Sequence, residues 1–445
     1  MCRLLAISCR DFVFPEKALY GLQVMQDSDE DSGLGLLLRD LGGPFENMKS
    51  VPILSGVFSK EGVKRLGCFM LNKGFTTKYK IGFKSSLKPP KGVPRRDIYL
   101  VSAYDYPSDW EGIPDWQRRQ RLVSIRMELS KIGKESQEII PFSFWPDTII
   151  VKELGNPMAV AEYLNLNRKE MTARIIIVQG EQGAGCGNRL RSCSPSFLGG
   201  FATVVNGENT ANATNREFLK SRGFIGYDGT RSAGDVFTDT LHYTMSGLGL
   251  GLDAYKHIIT PLPNEFLETH PQRQFLQHVK QSCRNRIIDG PNCIIGVLPD
   301  NTLFMVQDRQ KLRPGVVGCD NGAFVFSTDI SGLDAVLPKR DLRTDIQPMH
   351  MDIVCVGPER DRISVIRQTD PLLLPNCRHS PKLQFLPAIK HPKHTSCRIG
   401  FVAYLYLKEK KTRNKQQIPG GEIWKETQKN ILKQKTPKAT QFSAL

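Results

Sequence analysis

Apolar residues along the chain alternate between short continuous runs and stretches with helical spacing. The run from Leu4 to Ile7 is apolar and short, which is typical of a buried strand. Apolar positions over Pro15 to Gln26 follow the helical period and predict an amphipathic helix. An acidic turn then leads into a second apolar strand, from Gly33 to Leu38. The chain is therefore predicted to begin as strand, helix and strand.

The middle of the chain predicts a mixture of strands and helices. We expect strands over 64–72, 79–85, 147–153, 172–178 and 201–205, and helices over 116–134, 156–165, 211–221 and 233–245. A Pro- and Lys-rich stretch over 84–96 predicts an exposed loop. A Gly-rich stretch over 180–187 lacks the ending of a phosphate-binding loop, so it predicts a mobile flap beside a pocket.

Paired strands dominate from Gly290 onward. Two apolar runs, 293–298 and 302–307, flank Pro299-Asp300-Asn301 and predict a hairpin. Shorter strands are predicted at 316–317, 322–327, 353–356 and 364–367, with a short helix or turn at 332–337. Many non-parallel strands flanked by helices predict an α+β protein with layered sheets and helices outside them.

Composition indicates a globular chain with a large core. The 445 residues are 40% hydrophobic, and no apolar stretch approaches the roughly 18 residues that span a membrane. The eleven cysteines are scattered, without a CxxC pair, and the N-terminus lacks the features of an export signal. We therefore expect reduced thiols, a cytoplasmic location, and neither a metal site nor a cofactor.

The net charge of +16 is concentrated near the C-terminus. From Arg378 to Leu445 the chain has fifteen Lys and Arg against Glu409, Glu422 and Glu426, so the rest is nearly balanced. Residues 371–445 are therefore predicted to be a basic, poorly ordered extension. Binding of nucleic acid or of an acidic partner by this extension stays open, whereas none is expected for the main domain.

Cys2 is the first candidate for chemistry. Removal of Met1 would leave Cys2 with a thiol and a free α-amine, whose reference pKa is about 8. One residue would then supply both the nucleophile and the base, as in N-terminal nucleophile catalysis. The alternative is that Cys2 is an ordinary small apolar residue.

Four further motifs follow Cys2 in the chain. They are an acidic turn beginning Gln26-Asp27-Ser28, a strand bearing Arg174, the turn Asn206-Gly207, and a helix start at Thr238-Asp239-Thr240. A solvated loop, a surface arginine, a plain hairpin turn and a helix-stabilising carboxylate are the structural alternatives. In this order the motifs resemble the class II glutamine amidotransferases, which are cysteine-type N-terminal nucleophile (Ntn) hydrolases.

This resemblance implies a fold and a set of roles. The fold would be a four-layer αββα sandwich of two antiparallel sheets, over residues 2–370. Cys2 would attack the side-chain amide of glutamine and form a thioester, while Asn206 and Gly207 would supply the oxyanion hole. Asp239 would bind the α-amine of glutamine, and Arg174 is the candidate for its α-carboxylate.

The sequence departs from the family pattern at several positions. Arg3 stands where Gly usually follows the catalytic cysteine, and Asp27-Ser28 stand where an Arg is common. Ile176 replaces a Ser or Thr, and Val205 replaces the His before Asn-Gly. With these departures, the resemblance also allows a weakened glutaminase, or one that is active only with a partner.

No pattern of an ammonia-consuming domain follows residue 370. The resemblance therefore implies a stand-alone glutaminase, similar to the amidotransferase part of glutamate synthase, that delivers ammonia to a flavin and iron–sulfur synthase subunit. Two other interpretations remain open. One is a hydrolase of another γ-glutamyl amide, and the other is a non-catalytic regulatory protein on the same fold.

Overall fold

The structure is a computed structural model, and it describes part of the chain. The described residues are 2–25, 33–83, 88–91, 93, 96–181, 190, 193–227, 234–288, 290–349 and 352–373. The predictions made for the acidic turn at 26–32, for most of the loop at 84–96, for the Gly-rich loop beyond 181 and for the extension beyond 373 lie outside these residues.

The described strands follow one another along the whole chain. In chain order they are β1 (Arg3–Val13), β2 (Gly33–Leu41), β3 (Pro52–Phe58), β4 (Thr76–Phe83), β5 (Ile98–Asp105), β6 (Ile139–Pro146), β7 (Thr148–Glu153), β8 (Ala173–Glu181), β9 (Ser196–Leu198), β10 (Phe201–Gly207), β11 (Asn292–Val297), β12 (Leu303–Gln307), β13 (Val316–Asp320), β14 (Ala323–Ser327), β15 (Ile353–Val356) and β16 (Ile363–Ile366).

The described α-helices lie between groups of these strands. In chain order they are α1 (Pro15–Val24), α2 (Lys60–Asn72), α3 (Asp115–Ser136), α4 (Pro157–Tyr163), α5 (Asn212–Ser221), α6 (Asp235–His242), α7 (Leu252–Ile259), α8 (Asn264–Thr269), α9 (Arg273–Ser282) and α10 (Ile330–Val336). Among the described residues, no helix combines the length and the apolar character needed to cross a membrane.

Two antiparallel sheets form the centre of the fold. The first sheet has the strand order β13-β14-β1-β8-β2-β7, and the second has the order β16-β15-β12-β11-β10-β9. The sheets pack face to face, since β1 contacts both β10 and β11, and β8 contacts β10. Apolar side chains from both sheets, among them Leu4 and Val204, fill the space between them.

Helices cover the outer face of each sheet. Helix α1 packs on β1 and β8, and α10 packs on β13 and β14. On the other side, α6 packs on β9 and β10, while Tyr255 and Ile259 of α7 share a core with Ile294 of β11. The predicted α+β architecture, a four-layer αββα sandwich of antiparallel sheets, is confirmed.

A third sheet was not predicted. It has the order β4-β5-β3-β6, contacts β7 at the edge of the first sheet, and carries α2 and α3. The strand predicted over 64–72 is wrong, because this stretch lies in α2. Its buried residues Leu66 and Met70 are four positions apart, and the Ser59 hydroxyl accepts a hydrogen bond from Gly62 N at 2.9 Å, which caps the helix.

Candidate active site

Cys2 lies at one end of the first sheet. It directly precedes β1, the strand between β14 and β8, and it is only partly exposed. Leu4 N donates to the Thr328 hydroxyl at 3.0 Å, and Thr328 N donates to Leu4 O at 3.0 Å. The start of β1 is therefore fixed from its neighbours, and the fully buried residues 4–6 hold it in the core.

Asn206 lies in the second sheet, near the end of β10, and is 4% exposed. Ala202 and Val204 of this strand belong to the core between the sheets, whereas the Thr203 hydroxyl contacts the Thr238 hydroxyl of α6 at 2.6 Å. Side chains alternate between the two faces of a strand. Asn206 therefore faces the space between the sheets, toward the sheet that carries Cys2.

Gln179 of β8 joins the two sheets at this end. Its Nε2 donates to Val205 O at 3.3 Å, and Val205 N donates to its Oε1 at 3.3 Å. Gln179 is 2% exposed and is paired with Leu4 in the β8–β1 ladder. Because Leu4 follows Cys2 by two residues and Val205 directly precedes Asn206, this bridge places Cys2 and Asn206 at the same end of the sandwich.

The Gln179 side chain also makes the hydrogen bonds to Val205 that a neighbouring strand would otherwise make. Strand β9 pairs with β10 only as far as Ser196, which lies opposite Thr203. Beyond that point the outer edge of β10 would expose the backbone of Val205. The Gln179 side chain fills this edge. Sequence reasoning missed Gln179, although a polar residue that follows the continuous apolar run 175–178 was a usable signal.

Gly207 ends β10 with its N–H directed to this open edge. Glu208 N donates to Pro291 O on the β11 side at 3.0 Å, and backbone groups alternate sides along an antiparallel strand. The N–H of Gly207 therefore points to the side where Gln179 meets Val205. A Cβ at position 207 would lie 2.2 Å from Pro291 O, so the site requires glycine.

Asn206 and Gly207 do not form a turn, so the alternative of a plain hairpin is wrong. Both residues belong to β10, and they pair with Cys293 and Asn292 of β11, which is distant along the chain. Cys293 is completely buried, and burial raises the pKa of its thiol to about 12. Cys293 is therefore protonated at neutral pH and unsuited to be a nucleophile.

Asp239 lies in α6, on the outer side of β10, and is 5% exposed. The neighbouring Thr238 anchors the helix on Thr203, and the Tyr227 hydroxyl donates to Asp239 O at 3.0 Å. Thr203 precedes Asn206 by three residues, which is about 10 Å along a strand. The helix therefore places Asp239 on the outer side of the second sheet, whereas Asn206 faces the space between the sheets.

Arg174 is not brought to Cys2. It lies near the start of β8, whereas Gly180, six residues further on, is the residue opposite Arg3. The distance along β8 between Arg174 and Gly180 is about 20 Å. Its Nε donates to Arg10 O at 2.7 Å, and its guanidinium lies 4.1 Å from the Phe12 ring. The prediction that Arg174 binds a substrate carboxylate is therefore not retained.

Three solved structures give the structural comparison. Glutamine phosphoribosylpyrophosphate amidotransferase from B. subtilis matches 83% of this chain with 12% identity and a TM-score of 0.41. An allosteric regulatory enzyme of purine biosynthesis matches 83% with 11% identity and a TM-score of 0.40. The matches span 50% of the length of these two chains.

The third structure is a glutamine aminotransferase class-II domain protein from Silicibacter pomeroyi. It matches 76% of this chain and 100% of its own length, with 9% identity and a TM-score of 0.29. The likeness to these three chains is low both in identity and in TM-score. Because the identities are so low, this likeness concerns the fold and gives no evidence on activity or substrate. No family profile and no curated protein sequence matches the chain.

Proposed function

We propose that the protein is an amide hydrolase with Cys2 as its N-terminal nucleophile and L-glutamine as its substrate. The observation that carries the proposal is the bridge between Gln179 and Val205, because it aligns the start of β1 with the end of β10. A thiol and two amide donors, Asn206 and Gly207, then share one end of the sandwich.

The proposed reaction uses these groups in two steps. Once Met1 is removed, the α-amine of Cys2 takes the thiol proton, and the sulfur attacks the side-chain amide carbon of glutamine. The C–N bond breaks, the proton leaves with the ammonia, and a glutamyl thioester remains. Water then hydrolyses the thioester to glutamate and restores the thiol.

Asn206 and Gly207 would stabilise the charge that develops on the amide oxygen. The Asn206 side-chain amide and the Gly207 N–H are uncharged donors held on a paired strand, so they need little reorganisation during the reaction. A single donor of this kind contributes about 3–4 kcal/mol in other enzymes. Asp239 would receive the α-amine of the substrate.

A second substrate class is favoured by the position of Arg174. Since Arg174 lies at the far end of β8, its guanidinium is not beside Cys2, where it was predicted to bind an α-carboxylate. Arg3, the arginine next to Cys2, donates through Nη1 to Leu22 O at 3.3 Å. An amide of another γ-glutamyl compound, whose α-carboxylate is recognised differently, is therefore the second candidate substrate.

We further propose that the released ammonia passes to a partner synthase subunit of the flavin and iron–sulfur type. The support is the sequence resemblance to the amidotransferase part of glutamate synthase. Affinity purification of the tagged protein from its own cells, followed by mass spectrometry, tests this partner. Recovery of the protein without such a subunit would contradict the partner assignment and leave the hydrolase proposal standing.

The hydrolase proposal is tested by labelling and by ammonia release. Intact mass should show the loss of Met1, and a glutamine-analogue diazo-ketone should label Cys2. Cys2→Ala should lower ammonia release from glutamine by at least about 1,000-fold, because the nucleophile is removed. Cys68→Ser, which changes an exposed thiol in α2, is the control and should retain activity.

The outcomes separate the candidate functions. Faster hydrolysis of other γ-glutamyl amides than of glutamine would replace glutamine with the second substrate class. A protein with Cys2 at its N-terminus that neither reacts with the diazo-ketone nor releases ammonia would contradict the hydrolase proposal and favour a non-catalytic protein.

A further inference from the structure

A basic cleft lies at the end of the sandwich opposite Cys2. On β8, Gly180 pairs with Arg3 beside Cys2, whereas Ile175 pairs with Arg39 of β2, about 16 Å further along the strand. The cleft has a volume of about 380 Å³. Four cationic side chains line it, from Arg39, Lys49, Arg118 and Arg119. We call it the Arg39 cleft.

Arg39 is the most unusual of these residues because it is only 2% exposed. Its Nη2 donates to Gly200 O at 2.9 Å. Within the described part of the chain, its Nε has no hydrogen-bond partner and no carboxylate lies within 4 Å of its guanidinium. Buried charges in proteins are normally paired, since an unpaired one costs several kcal/mol. Asp147, Asp300 and Asp40 act on Arg39 electrostatically, but none of them forms an ion pair with it within 4 Å, so its guanidinium lacks a direct anionic contact among the described residues.

Arg118 repeats this pattern at the wall of the cleft. Its guanidinium lies 4.9 Å from the Tyr106 ring, and its Nη2 donates to Ile113 O at 3.4 Å. Its Nε is buried and, among the described residues, has no hydrogen-bond partner. By contrast, Arg119 is paired with Asp115 at 2.7 Å. Arg39 and Arg118 line the same cleft, and neither guanidinium forms an ion pair within the described part of the chain.

Nearby carboxylates do not neutralise the cleft. Asp40 contacts Lys49, but it also forms ion pairs with Arg360 at 2.6 Å and with Arg174 at 3.6 Å. One carboxylate therefore serves three cations. Asp147, the other carboxylate in the cleft besides Asp115, accepts a hydrogen bond from Leu41 N at 2.8 Å through Oδ1. A surplus of positive charge remains.

We propose that the Arg39 cleft binds the phosphate group of a small molecule, with Arg39 at the base and Arg118 and Lys49 at the sides. The planar guanidinium fork matches the oxygens of a tetrahedral oxoanion, and such charge-assisted hydrogen bonds are among the strongest in proteins. The volume suits a phosphate with a small organic part. The Trp145 and Tyr106 side chains provide apolar wall surface for that part.

Calorimetric titration of the full chain with inorganic phosphate, sulfate and glycerol 3-phosphate tests this site at constant ionic strength. We expect all three ligands to bind. Arg118→Gln should weaken binding by about tenfold or more, because it removes a charge-assisted hydrogen bond. Arg121→Gln is the matched control: this arginine lies one turn further along α3, with its guanidinium 5.2 Å from the Trp110 ring, and should bind like wild type.

A second variant and a competitor sharpen the test. Lys49→Gln should also weaken sulfate binding, and it keeps the proposal testable if Arg118→Gln does not fold. Tighter binding of glycerol 3-phosphate than of phosphate would identify an organic ligand, and equal binding would identify the free ion. Three results would overturn the proposal. One is equal weakening by Arg118→Gln and Arg121→Gln, and another is much tighter binding of an RNA oligonucleotide. The third is that none of the three ligands binds at about 10 mM, a concentration on the order of the dissociation constants of the weakest specific sites.

Discussion

The two ends of the sandwich each bury a cation, but with different consequences. At the Cys2 end, Lys256 is 1% exposed, and its amine donates to Gln307 O. Gln307 pairs with Cys293, and Cys293 pairs with Asn206. Burial lowers the pKa of Lys256 to about 7. At the opposite end, burial lowers the pKa of Arg39 only to about 10.

This difference explains why the two ends suit different chemistry. Lys256 can lose its proton near neutral pH, so the surroundings of Asn206 need not hold a permanent charge. Uncharged amide donors are then suited to bind an oxyanion that exists only during a reaction. Arg39 stays protonated at any physiological pH, so its end of the sandwich requires a lasting anion.

The largest expected effect concerns the Cys2 end. Asn206→Ala should lower kcat for ammonia release by about 100-fold to 1,000-fold, because one oxyanion donor is lost. The KM should change little, since the interaction forms mainly in the transition state. Steady-state kinetics measure the first effect, and calorimetry with sulfate should show unchanged binding at the Arg39 cleft. Loss of sulfate binding in this variant would show that the two ends are not independent.

A second prediction concerns the protonation of Lys256. Its pKa is about 7 in the folded protein and about 10.5 when unfolded, so between these values the unfolded chain binds one more proton. Lys256 therefore destabilises the fold fully below pH 7, and this cost disappears as the pH rises toward 10. Asp308, Cys293, Asp352 and Arg309 are the groups that act on it electrostatically.

Removing the amine should remove this pH dependence. Lys256→Met should shift the free energy of unfolding relative to wild type by up to about 1.4 kcal/mol per pH unit between pH 7 and 10. Urea unfolding at several pH values measures the shift. Lys220 is an exposed lysine of α5. For the control Lys220→Met, the free energy of unfolding plotted against pH should run parallel to that of wild type. A Lys256→Met curve that is also parallel would mean that Lys256 stays charged in the folded protein.

The smallest effect is expected at the bridge between the sheets. Gln179→Glu keeps the shape but replaces the donor to Val205 O with an oxygen, so the fold should lose about 1–3 kcal/mol. Ammonia release should fall as well, because the bridge holds the strand that carries Asn206. Chemical unfolding and kinetics measure both effects, with Gln23→Glu on the exposed face of α1 as the control. Unchanged activity would show that the bridge does not contribute to the activity of the site.

Much of the secondary structure could be predicted from local patterns. The runs at 201–205 and 293–307 form β10, β11 and β12, and the helical spacing at 116–134 forms α3. The stretch 64–72 misled, because residues 68–71 form a short continuous apolar run that periodicity alone does not distinguish from a strand. Strands β3, β5 and β6 were missed, and with them the third sheet.

The candidate site was predicted in part. Cys2, Asn206 and Gly207 could be named because a terminal thiol and an Asn-Gly pair are visible in the sequence. Gln179 could not be given a role, since its partner Val205 is known only once β8 and β10 face each other. Arg174 was assigned to the wrong end of β8 because the register with β1, which pairs Arg3 with Gly180, is not visible in either strand alone.

The sequence by itself determined which segments are apolar enough to become strands and which residues carry reactive groups. Only the tertiary structure decided which of these groups meet. The physical reason is that side-chain alternation is a property of a few neighbouring residues, whereas register and sheet packing depend on burial against residues far away in the chain. Arg39, an ordinary arginine in the sequence, became a candidate anion-binding residue only when the surrounding strands enclosed it.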